Sequence, residues 1–237
     1  MNIKKYLTKR NLLFITIFTI AGFIALNIPV AELAGSKAKF TVYDSFAPIA
    51  GAFIGSVPGV IAVFLTQLAN FFVQGANITD PGTVIRFFPM LFAVLYFTQK
   101  RKFILAVPAI AIIAFVMHPI GRTVWYFALF WTIPFIAHYF RRFLIARALG
   151  ATFTAHAVGG ALWIWTFSLP ASVWNSLIPI VAFERILFAL GIAVSFLAVN
   201  NLLRFLEKKE ILTLQFRIED IYLLPSLRNT HENQTPV

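Results

Sequence analysis

Apolar runs of membrane-crossing length alternate with short clusters of charge along nearly the whole chain, and runs of that length predict helices rather than strands. The first run covers about residues 12–30 and is followed by the loop AELAGSKAKFTVY at 31–43. Next comes a longer apolar stretch, DSFAPIAGAFIGSVPGVIAVFLTQLANFFVQ, at 44–74. One straight helix of that length would reach ~46 Å, well past the ~30 Å hydrocarbon core. A bend is therefore expected, and Ser-Val-Pro-Gly at 56–59 supplies it, because proline lacks a donor and glycine loosens the backbone. The reading is a Gly-rich helical hairpin over 44–74, in which Gly51, Gly55 and Gly59 let two short helices approach closely. A re-entrant pair and a single tilted span are the alternatives.

The remaining runs cover about 83–97, 103–117, 123–140, 149–167 and 176–205, separated by the turn GANITDPG, the basic cluster at 99–102, His-Pro-Ile-Gly-Arg at 118–122, Arg141 and Arg142, and the loop SLPASVWN. The fold class is all-α: a polytopic helical membrane protein with six to eight apolar segments. Residues 1–206 form a single transmembrane domain. Residues 207–237 form a cytoplasmic tail, amphipathic over 207–218 and disordered towards its end. The basic N-terminus and first run read as an uncleaved span, because the run is too long for a secretory signal.

Composition agrees: 59% of residues are apolar and 16% aromatic, with a mean hydropathy of +0.82. The net charge of +11 raises the question of nucleic acid, but Lys and Arg cluster between apolar runs, which is the positive-inside pattern of a bilayer protein. Counted over the loops, basic residues gather on the side of the N-terminus, and only Lys37, Lys39 and Arg122 fall opposite. A multi-pass protein of the cell membrane with both termini cytoplasmic follows. No cysteine is present, which excludes disulfides and thiolate metal sites.

Polar groups inside apolar segments are costly and face the protein interior or a water-filled cavity. Asp44, Arg86, Asn70, Gln74, Trp174 and Asn175 converge towards the external side, with Glu184 deeper, and these seven are the candidate substrate-binding residues. Gln67, Asn70 and Gln74 share one helical face by their spacing. The competing reading is that the same groups only tie helices together. Glu184 and Arg185 are adjacent and about 100° apart around a helix, so each is expected to find another partner, Arg86 for Glu184 and Asp44 for Arg185. His156 reads as bonded within the bundle; no metal site and no cofactor are expected. Trp163, Trp165 and Trp174 fit an aromatic belt, with Trp174 also able to stack on a ring-bearing ligand. No Gly-x-Ser-x-Gly, His-Glu-x-x-His, phosphate loop or aspartate cluster occurs, so no catalytic residues are expected. An intramembrane enzyme would have to bring Glu184 and His156 together.

The order of basic N-terminus, first span with Ala21 and Ala25, loop, and FTVYDSFAPIAGAFIGSVPGVIAVFLTQLANFF resembles the substrate-binding S components of energy-coupling factor (ECF) transporters. The similarity lies in an aspartate opening the second helix before a glycine-rich run, and the ending from HAVGGALWIW to VNNLL is similar to the family's last two helices. The resemblance implies a membrane protein that captures a vitamin-like micronutrient from outside and associates with a transmembrane coupling subunit and ATPase subunits for uptake. It implies docking through small residues of the first helix, here Ala21 and Ala25, and a loop at 31–43 that covers the ligand. Those proteins have six spans; the eight apolar segments counted here then include short or broken helices, or the resemblance is to a wider group sharing the fold. The alternative function is a structural membrane scaffold of cell-shape or envelope assembly.

Overall fold

A computed structural model describes residues 6, 8–32, 39–75, 80–211 and 215–228. Thr8 opens the first helix by accepting the backbone N–H of Asn11, and α1 runs Lys9–Leu26. One side of α1 buries Phe14, Phe18, Gly22 and Ala25, while Ile17, Ile20 and Ile24 are exposed on the other. Such an isoleucine stripe suits a lipid environment and is unfavourable in water. A short antiparallel ribbon follows, β1 (Pro29–Glu32) with β2 (Lys39–Thr41). The chain then enters α2 (Tyr43–Phe46), a 3-10 turn at Ala47–Ile49, α3 (Ala50–Ile54) and α4 (Ser56–Val73).

The break between α3 and α4 falls at Gly55, with φ 97° and ψ 165°, a backbone conformation reserved for glycine. This corrects the bend expected at 56–59: Pro58 sits inside the first turn of α4, where backbone N–H groups lack helical acceptors anyway. Beyond the turn Gly59 lies directly against the backbone of Gly51, so a side chain on Gly59 would collide with it.

Asp80 caps α5 (Pro81–Ile85) by accepting the N–H groups of Gly82 and Thr83, and α6 (Phe87–Thr98) continues after a kink at Arg86. A 3-10 turn at Lys102–Leu105 leads into α7 (Ala106–Met117) and α8 (Pro119–Thr123). The run expected as one segment over 123–140 divides into a 3-10 stretch, Trp125–Thr132, and α9 (Ile133–Tyr139). Two long helices close the bundle, α10 (Leu144–Phe167) and α11 (Ala171–Lys208). At 38 residues α11 is ~57 Å long, more than a bilayer core requires. Among the described residues four helical stretches are long and apolar enough to cross a membrane: Lys9–Leu26, Ser56–Val73, Pro81–Thr98 and Ala171–Lys208.

α10 is the hub and packs on α6, α7, α9 and α11. Its glycines permit this, since Gly150 lies against the Tyr96 ring and Gly160 against Trp131. Two apolar clusters result. One gathers Phe14, Phe53, Phe97 and Phe196 from α1, α3, α6 and α11; the other gathers Phe115, Phe127, Trp131 and Trp174 around α7 and the 3-10 stretch.

The tail differs from the surface helix expected over 207–218. After α11 ends at Lys208, residues 215–228 form an extended strap across the end of the bundle, with short 3-10 turns at Asp220–Tyr222 and Pro225–Leu227. Two consecutive asparagines of α11 hold it as a strand would. Asn200 donates to Glu219 O at 3.1 Å and accepts from Glu219 N at 2.9 Å, while Asn201 donates to Tyr222 O and accepts from Leu224 N. The terminal stretch expected to be disordered, 229–237, lies outside the described residues.

Candidate functional site

A cavity of about 530 Å³ opens at the seam between the two apolar clusters, where α5, α6, α10, α11 and the ribbon meet. That size suits a small organic molecule. Its walls combine Met90, Phe127, Trp163, Trp174 and Val181 with Glu32, Asp44, Arg86, His156, Glu184 and Arg185.

Asp44 is held by its position in the first turn of α2, just after the ribbon. Its Oδ2 accepts the Thr41 N–H at 2.7 Å, the Thr41 hydroxyl at 3.3 Å and Arg86 Nη2 at 3.0 Å. The side chain is 1% exposed, so Asp44 joins the ribbon to the kink between α5 and α6. Its other oxygen, Oδ1, is buried with no partner among the described residues.

Arg185 lies on α11 with its side chain 2% exposed. Its guanidinium packs against two rings that touch each other, Phe40 of β2, 4.5 Å from the ring centre, and Phe188, at 4.7 Å. The hydrogen bond it makes is to the neighbouring Glu184, Nη2 to Oε2, at 3.4 Å. The two therefore pair with each other, which corrects the expectation that adjacency would send each elsewhere. The length of that bond still reflects the poor geometry of neighbours on a helix. Arg185 Nε is buried without a partner among the described residues. Phe40 also stacks on Arg86, at 5.1 Å, so one ring separates the two guanidiniums.

His156 accepts the Trp131 indole N–H through Nδ1 at 3.0 Å. An indole N–H can only donate, so Nδ1 carries no proton and the neutral ring carries it on Nε2. The cavity beside it is roomy because Gly159 presents no side chain: a Cβ there would meet nothing nearer than Pro89 Cγ at 3.5 Å.

The seven candidate residues separate. Asp44, Arg86, Trp174 and Glu184 line the cavity together. Trp174 is edge-packed on Phe115 and Phe127, each 5.0 Å away, and donates to Leu169 O, so it serves as wall. Asn70 and Gln74 bond to each other at 3.3 Å and line a second hollow of about 460 Å³ with Gln67, Lys39 and Thr41; Arg86 borders both spaces. Asn175 is outside the cavity, accepting from the Tyr126 hydroxyl at 2.6 Å. Ala25 is buried, with Gly22 turned inward onto Thr66 and Tyr43, and Ala21 is half-buried.

Sequence reasoning missed Phe40, Trp163 and Phe127 as walls, and gave Arg185 and His156 no ligand role. The signal that was available is Gly159-Gly160 in the middle of an apolar helix, where missing side chains mark either close packing or open space. Here the pair does both: Gly160 packs and Gly159 opens.

The fold is all-α, with four helical stretches among the described residues long and apolar enough to cross a membrane and a cavity lined by both polar and aromatic groups. No protein-family model matches the chain and no solved structure matches it. A similar chain is an uncharacterized protein of Methanocaldococcus jannaschii, 26% identical, with 79% of this chain and 70% of the relative covered.

Proposed function

We propose that this chain is a solute-binding membrane subunit that captures a small, vitamin-like micronutrient from outside for ATP-driven uptake by a transmembrane coupling subunit and ATPases, as ECF S components do. One observation carries the reading: a cavity of about 530 Å³ that combines aromatic walls with two guanidiniums, three carboxylates and an imidazole inside an apolar bundle. Charged groups in such a setting are expensive and are characteristic of substrate sites. In this reading residues 44–74 form a helical hairpin, the ribbon covers the solute, the chain makes six to eight apolar passes or part-passes, and both termini with the strap lie in the cytoplasm. The chain itself performs no chemistry.

A scaffold of envelope or cell-shape assembly is the second reading, and the saturated Asp44 Oδ2, bonded to Thr41 and Arg86, is the observation that favours it. Native mass spectrometry of the protein purified in mild detergent separates the two. A retained small molecule together with an ATPase pair is the expected result. An empty protein that carries envelope-assembly proteins and no ATPase would overturn the proposal.

A further inference from the structure

We infer that the solute is an acid: a small ring-bearing molecule whose carboxylate is received by Arg185 and Arg86 while its ring lies towards Trp163 and Phe127. This rests on the solute-binding reading above and narrows its substrate class.

The inference follows from which polar groups of the wall are already satisfied. Each carboxylate faces a cation, Asp44 meeting Arg86 at 3.0 Å, Glu184 meeting Arg185 at 3.4 Å and Glu32 meeting Lys39 at 3.2 Å, and one acceptor, Asp44 Oδ1, is buried without a partner among the described residues. The donors are in excess. A guanidinium carries about five N–H groups, and among the described residues Arg185 and Arg86 each use their side chain in a single hydrogen bond. Phe40 and Phe188 pack on neighbouring sides of the Arg185 guanidinium, and Arg185 lines the cavity. His156 adds a further donor at Nε2, because Nδ1 is occupied by Trp131. A cationic or purely apolar solute would close the cavity over these donors and leave them bare, which is unfavourable for each group so desolvated. A carboxylate accepts several N–H bonds at once and matches the planar fork of arginine. The aromatic and aliphatic side chains that also line the cavity suit a ring.

The test uses acid and amide pairs of the same shape, benzoate with benzamide and indole-3-acetate with indole-3-acetamide, titrated into the purified full chain. Each acid is expected to bind about 10- to 100-fold more tightly than its amide, the range for losing a charge-assisted hydrogen bond. In Arg185→Gln that preference disappears while amide binding is unchanged, and Arg185→Lys restores part of it. Arg185→Gln that is misfolded by circular dichroism would be replaced by Arg86→Gln, for which the same loss of preference is expected. Amides binding as tightly as acids would overturn the acid assignment and leave solute binding standing. No binding by any of the four, with no small molecule in the native mass spectrum, would remove the solute-binding reading and this inference with it.

Discussion

Two arginines occupy nearly the same local setting at different levels of the bundle. Arg185 of α11 packs against the paired rings of Phe40 and Phe188; Arg147 of α10 packs against the paired rings of Phe97 and Phe196, 4.3 Å and 4.7 Å from the ring centres. Both leave buried donors unpaired among the described residues, Nε of Arg185 and Nε with Nη2 of Arg147. Unpaired donors alone therefore do not mark a ligand site. The difference is what stands in front of each. Arg147 meets Glu219 of the strap at 2.8 Å, a carboxylate brought from far along the chain, and the strap closes over it. Arg185 meets its own neighbour at 3.4 Å and opens on a cavity. The same arrangement of a cation against a pair of rings thus acts as a fastening where the fold supplies a good carboxylate, and as a receptor where the fold supplies space.

The largest effect should come from removing the fastening. A chain ending at Glu210 loses the hydrogen bonds of Asn200 and Asn201, the Arg147–Glu219 pair and the buried Leu223. At about 1 kcal/mol per hydrogen bond and about 2 kcal/mol for the leucine, thermal unfolding in detergent should fall by roughly 10 °C or more. An unchanged melting temperature would show that the strap only rests on the bundle.

Second in size is Asp44→Ala, which leaves Arg86 without its carboxylate and Thr41 N–H without its acceptor. We expect a loss of about 3 kcal/mol in stability together with loss of solute binding, read by melting and titration. Binding lost with full stability would make Asp44 a direct ligand contact instead of a brace. The smallest effect on stability is expected for Gly159→Leu, which gains helix propensity and fills open space. Its melting temperature should stay within about 2 °C of wild type. Binding should drop by at least about tenfold, because the side chain occupies the cavity; unchanged affinity would place the solute elsewhere.

The long helices were legible because each is a long apolar run, and Asp44 with Arg86 stood out because charge is rare within such runs. Their mutual ion pair was not legible: nothing local links residues so far apart in sequence. Gly55 was passed over in favour of Pro58 because proline is the stronger local breaker, yet the turn needs a positive φ, which only glycine accepts readily. The polar stripe of Asn70 and Gln74 was visible as a face, whereas the space it borders depends on where the ribbon and α6 lie. The strap escaped notice for a related reason. Its mixed composition reads as a surface helix until Asn200 and Asn201 are seen to offer it strand-like bonds. Glu184 with Arg185 was misjudged because ideal helical angles were applied to side chains long enough to bend back towards each other.

The most direct measurement treats the two arginines in parallel. Arg147→Gln and Arg185→Gln would each be followed by thermal unfolding and by titration with an acid that the wild type binds. The account predicts that Arg147→Gln melts several degrees lower with its affinity intact, and that Arg185→Gln melts close to wild type with affinity reduced about 10- to 100-fold. If Arg185→Gln instead melted like Arg147→Gln and bound the acid as the wild type does, both arginines would be fastenings and the cavity would not be a receptor.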